Sequence, residues 1–336
     1  MTTKNSYRDI LKATSLFSGV QVLGVLISIA KSKLAAILIG PAGIGIVGVL
    51  NSTLNVIIGF SKLGLDVSAV KEISAFKEKD ITKTLRTIDV LRRLCWVTGL
   101  LGAIITFVLS SWLSELAFGD SSHTISFMLL SFAVLFNQLT VGNLAILQGL
   151  RRLKKLAKAT LWGSFFSLIV IIPLYYYYGI SGIVPAIILI SFFTYVFSWI
   201  YTKREFVNQP KLTVKETLSQ GKSMIKLGFV LSLGSLATVI TIYAIQIFIT
   251  NNGGVDEVGF YNAAFIIINA YVGVVFSAMS KDYFPRLSSI VNEQKTMLKV
   301  VNQQAYVAVL LLTPIIVIFL AFIPTIISIL FTKEFM

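Results

Sequence analysis

The chain has 336 residues, of which 56% are apolar and only 13% charged, with a mean hydropathy of +0.84. A soluble protein of this size cannot cover its surface with so few charges, so the composition describes a chain that crosses a membrane many times. A single cysteine, Cys95, and a single histidine, His123, argue against a disulfide framework and against a Cys- or His-based metal centre, and the net charge of +14 makes the placement of the cations informative.

The N-terminal stretch "MTTKNSYRDILKATS" carries Lys4, Arg8, Asp9 and Lys12 ahead of the first apolar run, with no small-residue cleavage site, so the run reads as a retained span. A span needs about 20 mostly apolar residues. Nine such spans are expected: Leu11–Ile39, Gly43–Leu65, Leu94–Leu113, Thr124–Leu150, Leu156–Tyr178, Ile180–Tyr201, Met224–Thr250, Val258–Met279 and Ala305–Leu330. The longest link, Thr202–Ser223, is polar and basic and contains Pro210, which marks a boundary between two bundles.

Placing the N-terminus in the cytoplasm puts 26 of the 29 Lys and Arg on that side, and the remaining three are Lys31, Lys33 and Lys333. The opposite loops carry Glu115, Asp120, Asp256, Glu257 and Glu334. This is the positive-inside pattern, and it accounts for the net charge through topology and contact with anionic membrane lipid rather than nucleic acid. A weak internal repeat accompanies it. Gly45 and Gly259 align at an offset of 214, and Phe118 and Phe331 at 213. The expected organisation is a six-helix lobe over residues 1–206 and the first three helices of a second lobe over 207–336, with three more helices expected beyond.

In span one, Thr14, Ser18, Gln21, Gly24, Ser28 and Lys31 recur every three or four residues and form one small, polar helix face. A lysine at the bilayer centre costs about 3 kcal/mol, so this face is expected to line a cavity or another helix. Lys33 lies about 200° round the helix from Lys31 and is expected to snorkel to the interface. Uncharged polar groups recur at helical spacing elsewhere: Asn51, Asn55 and Lys62; Asn137, Thr140 and Gln148; Tyr243 and Gln246; Asn262 and Asn269. Such amides either bind helices together or line a wet path. No Asp or Glu lies mid-span, and Asp66, Asp89 and Asp282 sit near the cytoplasmic ends. Asp282 and Arg286 are four apart in "KDYFPRL", placed for a cytoplasmic gate or a topological salt bridge. Tyr175–Tyr178 reads as an aromatic belt, and "GPAGIG" as a tight outer turn that lacks a phosphate loop's ending.

The stretch "KLAAILIGPAGIGIVGVLNS" resembles the start of the polysaccharide-exporter branch of the multidrug/oligosaccharidyl-lipid/polysaccharide transporter superfamily. The stretch "VGFYNAAFIIINAYVGVVFSAMSKDYFPRLSSI" resembles Wzx-type O-antigen flippases still more specifically. The resemblance implies an all-α polytopic membrane protein with two lobes around a central cavity. It implies a flippase, not an enzyme, that moves an undecaprenyl-pyrophosphate-linked oligosaccharide across a bacterial inner membrane by alternating access. Its partners would be that lipid-linked glycan, membrane lipids and other polysaccharide-assembly proteins, with no cofactor or metal. The expected cavity residues are Lys31, Gln21, Ser28, Asn51, Asn55, Asn137, Gln148, Gln246, Asn262 and Asn269, with Asp66, Asp282 and Arg286 at the cytoplasmic end. The alternative is a drug/cation antiporter of the same superfamily, which would be expected to carry cavity carboxylates.

Overall fold

The computed structural model describes residues 3–76, 80–203, 213–268 and 294–335, with side chains described from residue 23 onward except at a few helical positions. The described residues are almost entirely helical, with no strand among them. Among the described residues eleven helices follow in order: α1 (Thr3–Lys62), α2 (Leu65–Phe76), α3 (Ile81–Val108), α4 (Ser110–Phe118), α5 (Thr124–Gly149), α6 (Leu153–Tyr178), α7 (Ile183–Thr202), α8 (Val214–Gly253), α9 (residues 255–268), α10 (Gln294–Ala321) and α11 (Ile323–Leu330). Among the described residues six stretches are long and apolar enough to cross a membrane. Two of them, Leu26–Lys62 and Leu153–Thr202, each hold two expected spans, while span eight runs from α9 into residues outside the described ones.

The breaks have local causes. Gly40 takes φ 64° and ψ −169°, a conformation that costs other residues a Cβ clash, and Pro41 follows where a new helix can start. α1 is therefore two legs, 3–39 and 41–62. Gly254 repeats the positive φ between α8 and α9, at an offset of 214 from Gly40. Asp80 starts α3 by accepting the Lys83 backbone N–H at 3.0 Å. A 3-10 turn at Gly179–Gly182 separates α6 from α7.

α3 packs on α5, α5 on α7, α7 on α6, and α1 on α6. The core of this group is apolar and fully buried around Leu50, Phe127, Leu130 and Ile183. A second cluster, with Leu65, Ile73, Leu91 and Met224, sits where the basic segments converge. At that basic end the turn at Gly64 presses against Gly228 of α8, and Arg93 donates to Thr217 Oγ1 at 3.5 Å. Large apolar side chains such as Trp112, Phe132 and Val108 face outward, as a hydrocarbon surrounding requires.

At the opposite end, the second leg of α1 meets α9 in a reciprocal contact. A Cβ on Gly45 would lie 1.8 Å from the Val255 carbonyl oxygen, and one on Gly259 would lie 2.2 Å from that of Pro41. Pro41 and Val255 are themselves 214 residues apart, so the contact of Gly45 with Val255 and that of Gly259 with Pro41 are counterparts of each other, the signature of a two-fold contact. Only glycine lets the two backbones come this close. The predicted outcome is that Gly45→Leu and Gly259→Leu each destabilise the purified protein by about 1–3 kcal/mol. Gly24→Leu and Gly234→Leu, with nothing within 4 Å of an added Cβ, should leave thermal unfolding in detergent unchanged.

Candidate functional site

A cavity of about 480 Å³ lies where both legs of α1, α5, α6, α7, α8 and α9 meet. Its apolar wall comes from residues such as Ile44, Val47, Leu54 and Ile187. Its polar groups are Lys31 and Ser32 from the first leg, Asn51, Ser52 and Asn55 from the second, Asn137, Tyr175, Ser191, Gln246 and Asn262. Among the described residues, no carboxylate belongs to the lining.

The polar groups differ in how far they are committed. Asn137 Nδ2 donates to Ser191 Oγ at 2.9 Å and to the Ala133 carbonyl at 2.8 Å, which ties α5 to α7 and leaves Oδ1 as an acceptor. Gln246 Nε2 donates to Asn262 Oδ1 at 2.7 Å, joining α8 to α9. Gln246 Oε1 and Asn262 Nδ2 find no partner among the described residues. Asn262 Nδ2 occupies the space over Gly48, where a Cβ would stand 1.7 Å away. Asn51 and Asn55, one helical turn apart, are open to the cavity.

Lys31 is half-buried on the cavity wall, and no ion pair or hydrogen bond holds its ammonium among the described residues. Lys33 has the opposite fate. Its Nζ donates to the carbonyl oxygens of Ser328, at 2.9 Å, and Phe331. These are the orphan acceptors at the end of α11, and the cation also meets the negative end of that helix dipole.

Of the expected cavity residues, the structure brings Lys31, Asn51, Asn55, Asn137, Gln246 and Asn262 to one space. It does not bring Ser28, which is exposed a turn before Lys31, or Gln148, which is exposed in the last turn of α5 at the basic end. The side chain of Gln21 and residues Asn269, Asp282 and Arg286 lie outside the described ones. Asp66 stands at the basic end, 3.1 Å from Lys62 Nζ. Tyr175 departs from its neighbours: Tyr176, Tyr177 and Tyr178 are exposed, as a belt requires, whereas Tyr175 is buried on the cavity wall. The signal was present in the sequence, since Gly163, Ser167, Ile171 and Tyr175 step by four along the buried face of α6.

Lys33→Met removes two charge-assisted bonds, each worth about 1.5–3 kcal/mol, and is expected to lower the thermal unfolding temperature in detergent. Lys31→Met removes a half-buried ammonium that no ion pair or hydrogen bond holds among the described residues, and should change that temperature less than Lys33→Met does, so the two lysines separate in one melting experiment.

No curated protein matches the chain in sequence. Two solved structures share its fold. The first is the inward-facing conformation of a multidrug resistance MATE family transporter of the MOP superfamily, at 16% identity and a TM-score of 0.68, covering 91% of this chain and 72% of that one. The second is a MATE in the bent conformation, at 17% identity and a TM-score of 0.61, covering 95% and 74%. The family described as polysaccharide biosynthesis protein matches residues 34–336, nearly the whole chain. This all-α, multi-pass membrane protein, built on the fold of MOP-superfamily transporters, belongs to the polysaccharide biosynthesis protein family.

Proposed function

We propose that this chain flips an undecaprenyl-pyrophosphate-linked oligosaccharide, such as an O-antigen repeat unit, across a bacterial inner membrane. The N-terminus and the basic end face the cytoplasm in this reading. The observation that carries it is the cavity's charge among the described residues: one ammonium and no carboxylate in the lining, surrounded by amides and hydroxyls. A cation on an apolar wall attracts an anion, and lysine serves as a compact point charge for phosphate. Asn51, Asn55 and the Asn137 acceptor suit sugar hydroxyls. The polyprenyl tail stays in lipid while the head group occupies the cavity, and rocking of two lobes, 1–206 and 207–336, turns the cavity outward. No bond is broken, so the activity is transport, not catalysis. Outward movement of negative charge gains about 2.3 kcal/mol per charge per 100 mV from the membrane potential.

A drug/cation antiporter is the second reading, favoured by the MATE neighbours. Cation exchange in such transporters is served by buried carboxylates, and the described lining residues include none.

The test uses a bacterium that lacks its own O-antigen flippase and carries the cognate glycan pathway. Surface polysaccharide is scored against lipid-linked units retained on the inner leaflet. Restored surface glycan is expected, with Lys31→Glu abolishing it while the protein still inserts and Lys31→Arg keeping part of it. Full export by Lys31→Ala would overturn the pyrophosphate role. Drug efflux without glycan export would establish the antiporter.

A further inference from the structure

Lys31 belongs to two cavities. Beside the central one lies a smaller space of about 130 Å³ between α6 and α7, and Lys31 and Ile190 form part of both walls. Among the described residues, the smaller space is lined by five that carry hydroxyls, Thr160, Ser164, Ser167, Thr194 and Ser198, and by no carboxylate, amide or second cation.

The directions of these hydroxyls decide what the space can hold. Thr194 Oγ1 donates to the Ile190 carbonyl at 2.7 Å, Ser167 Oγ to Ser164 at 2.6 Å, Ser198 Oγ to Tyr195 at 2.8 Å and Thr160 Oγ1 to Leu156 at 3.0 Å. Four of the five protons are thus spent on helix carbonyls; Ser198 Oγ also accepts from Asn143 Nδ2 at 3.0 Å, which leaves the oxygens of Thr160, Ser167 and Thr194 as acceptors on the wall of the space. An anion finds few donors there. An ammonium, which carries three donors and no acceptor, finds a set of oxygens. The four-carbon lysine stem is flexible enough to move the charge between adjoining spaces.

We propose that the α6–α7 space is an ammonium site that holds the Lys31 head group when the central cavity is empty. Ser164, Ser167 and Thr194 are then positioning residues: they solvate the charge in the unloaded protein and release it to an anionic head group on loading. This rests on the reading of Lys31 as the anion-binding group. It accounts for how a half-buried cation, with no counter-ion among the described residues, persists through the empty half of a transport cycle. The oxygens substitute for water without cancelling the charge.

The consequence runs against intuition. Removing an acceptor from the smaller space destabilises only the unloaded protein, so anions should bind more tightly. The test measures farnesyl pyrophosphate binding to the full chain in detergent. Thr194→Val and Ser164→Ala are each expected to tighten binding roughly tenfold, the worth of one hydrogen bond to a charged group. Thr194→Ser should restore the original affinity, and in a Lys31→Met background neither substitution should have any effect. Weaker or unchanged binding in both single variants, or equal tightening without Lys31, would overturn the ammonium site. If Thr194→Val does not fold, Ser164→Ala carries the same comparison. Loss of Lys31 with no loss of farnesyl pyrophosphate affinity would instead overturn the reading of the central cavity itself, so the two failures are distinguishable.

Discussion

A primary ammonium inside hydrocarbon must find oxygen atoms, and most of what is distinctive in this molecule follows from that requirement. Two lysines two residues apart on one helix meet it by different routes. Lys33 spends its donors on the carbonyls that end α11, so its charge becomes part of the packing between the first helix and the last. Lys31 has no such partner among the described residues and stands instead at the junction of a central cavity and a hydroxyl-lined one. One charge is consumed by structure and the other is kept available. Replacing Lys31 by a fully paired cation would give a better-solvated fold and a cavity without a reason to attract anything.

The scaffold around this junction is arranged to keep it open. The glycine contacts at one end and the turn at Gly64 against Gly228 at the other bring backbones together where side chains would hold them apart. Between these two points of close approach the helices separate, and the separation is the cavity. Amide–hydroxyl bonds such as Asn137 to Ser191, Asn143 to Ser198 and Gln138 to Thr98 bind α5 to α7 and to α3 around it. Such bonds fix helix positions in a setting where apolar contact alone, against equally apolar lipid tails, gives little preference.

Much of this was legible in the sequence, and the limits have physical causes. Span lengths and the loop cations revealed the class because the bilayer sets a strict length and charge rule. The polar stripe of the first span singled out Lys31 because a 3.6-residue period is enough to place a residue on a face. It misplaced Ser28, since a face says nothing about where along the helix a cavity begins. Gln148 followed its neighbours in period but lies beyond the cavity's depth. Tyr175 was hidden by the three tyrosines after it, whose composition suggested a belt for all four. Lys33 could not be assigned a partner, because its acceptors are backbone atoms 295 and 298 residues away and backbone carbonyls leave no signature in sequence.

The pair Gly48 and Asn262 bears on why a single chain suits this cavity. The two positions are counterparts at the offset of 214, yet the asparagine's Nδ2 fills the space where a Cβ on the glycine would stand. Two asparagines facing each other there would collide, and two glycines would leave a void and no amide. An assembly of identical subunits, which must place the same residue on both sides of its axis, has only those two choices. A continuous polypeptide escapes the dilemma, because each side of the axis is encoded separately and can mutate alone. The amide that lines the cavity at this point is therefore a product of broken symmetry, available only once the two sides of the contact are written in one chain.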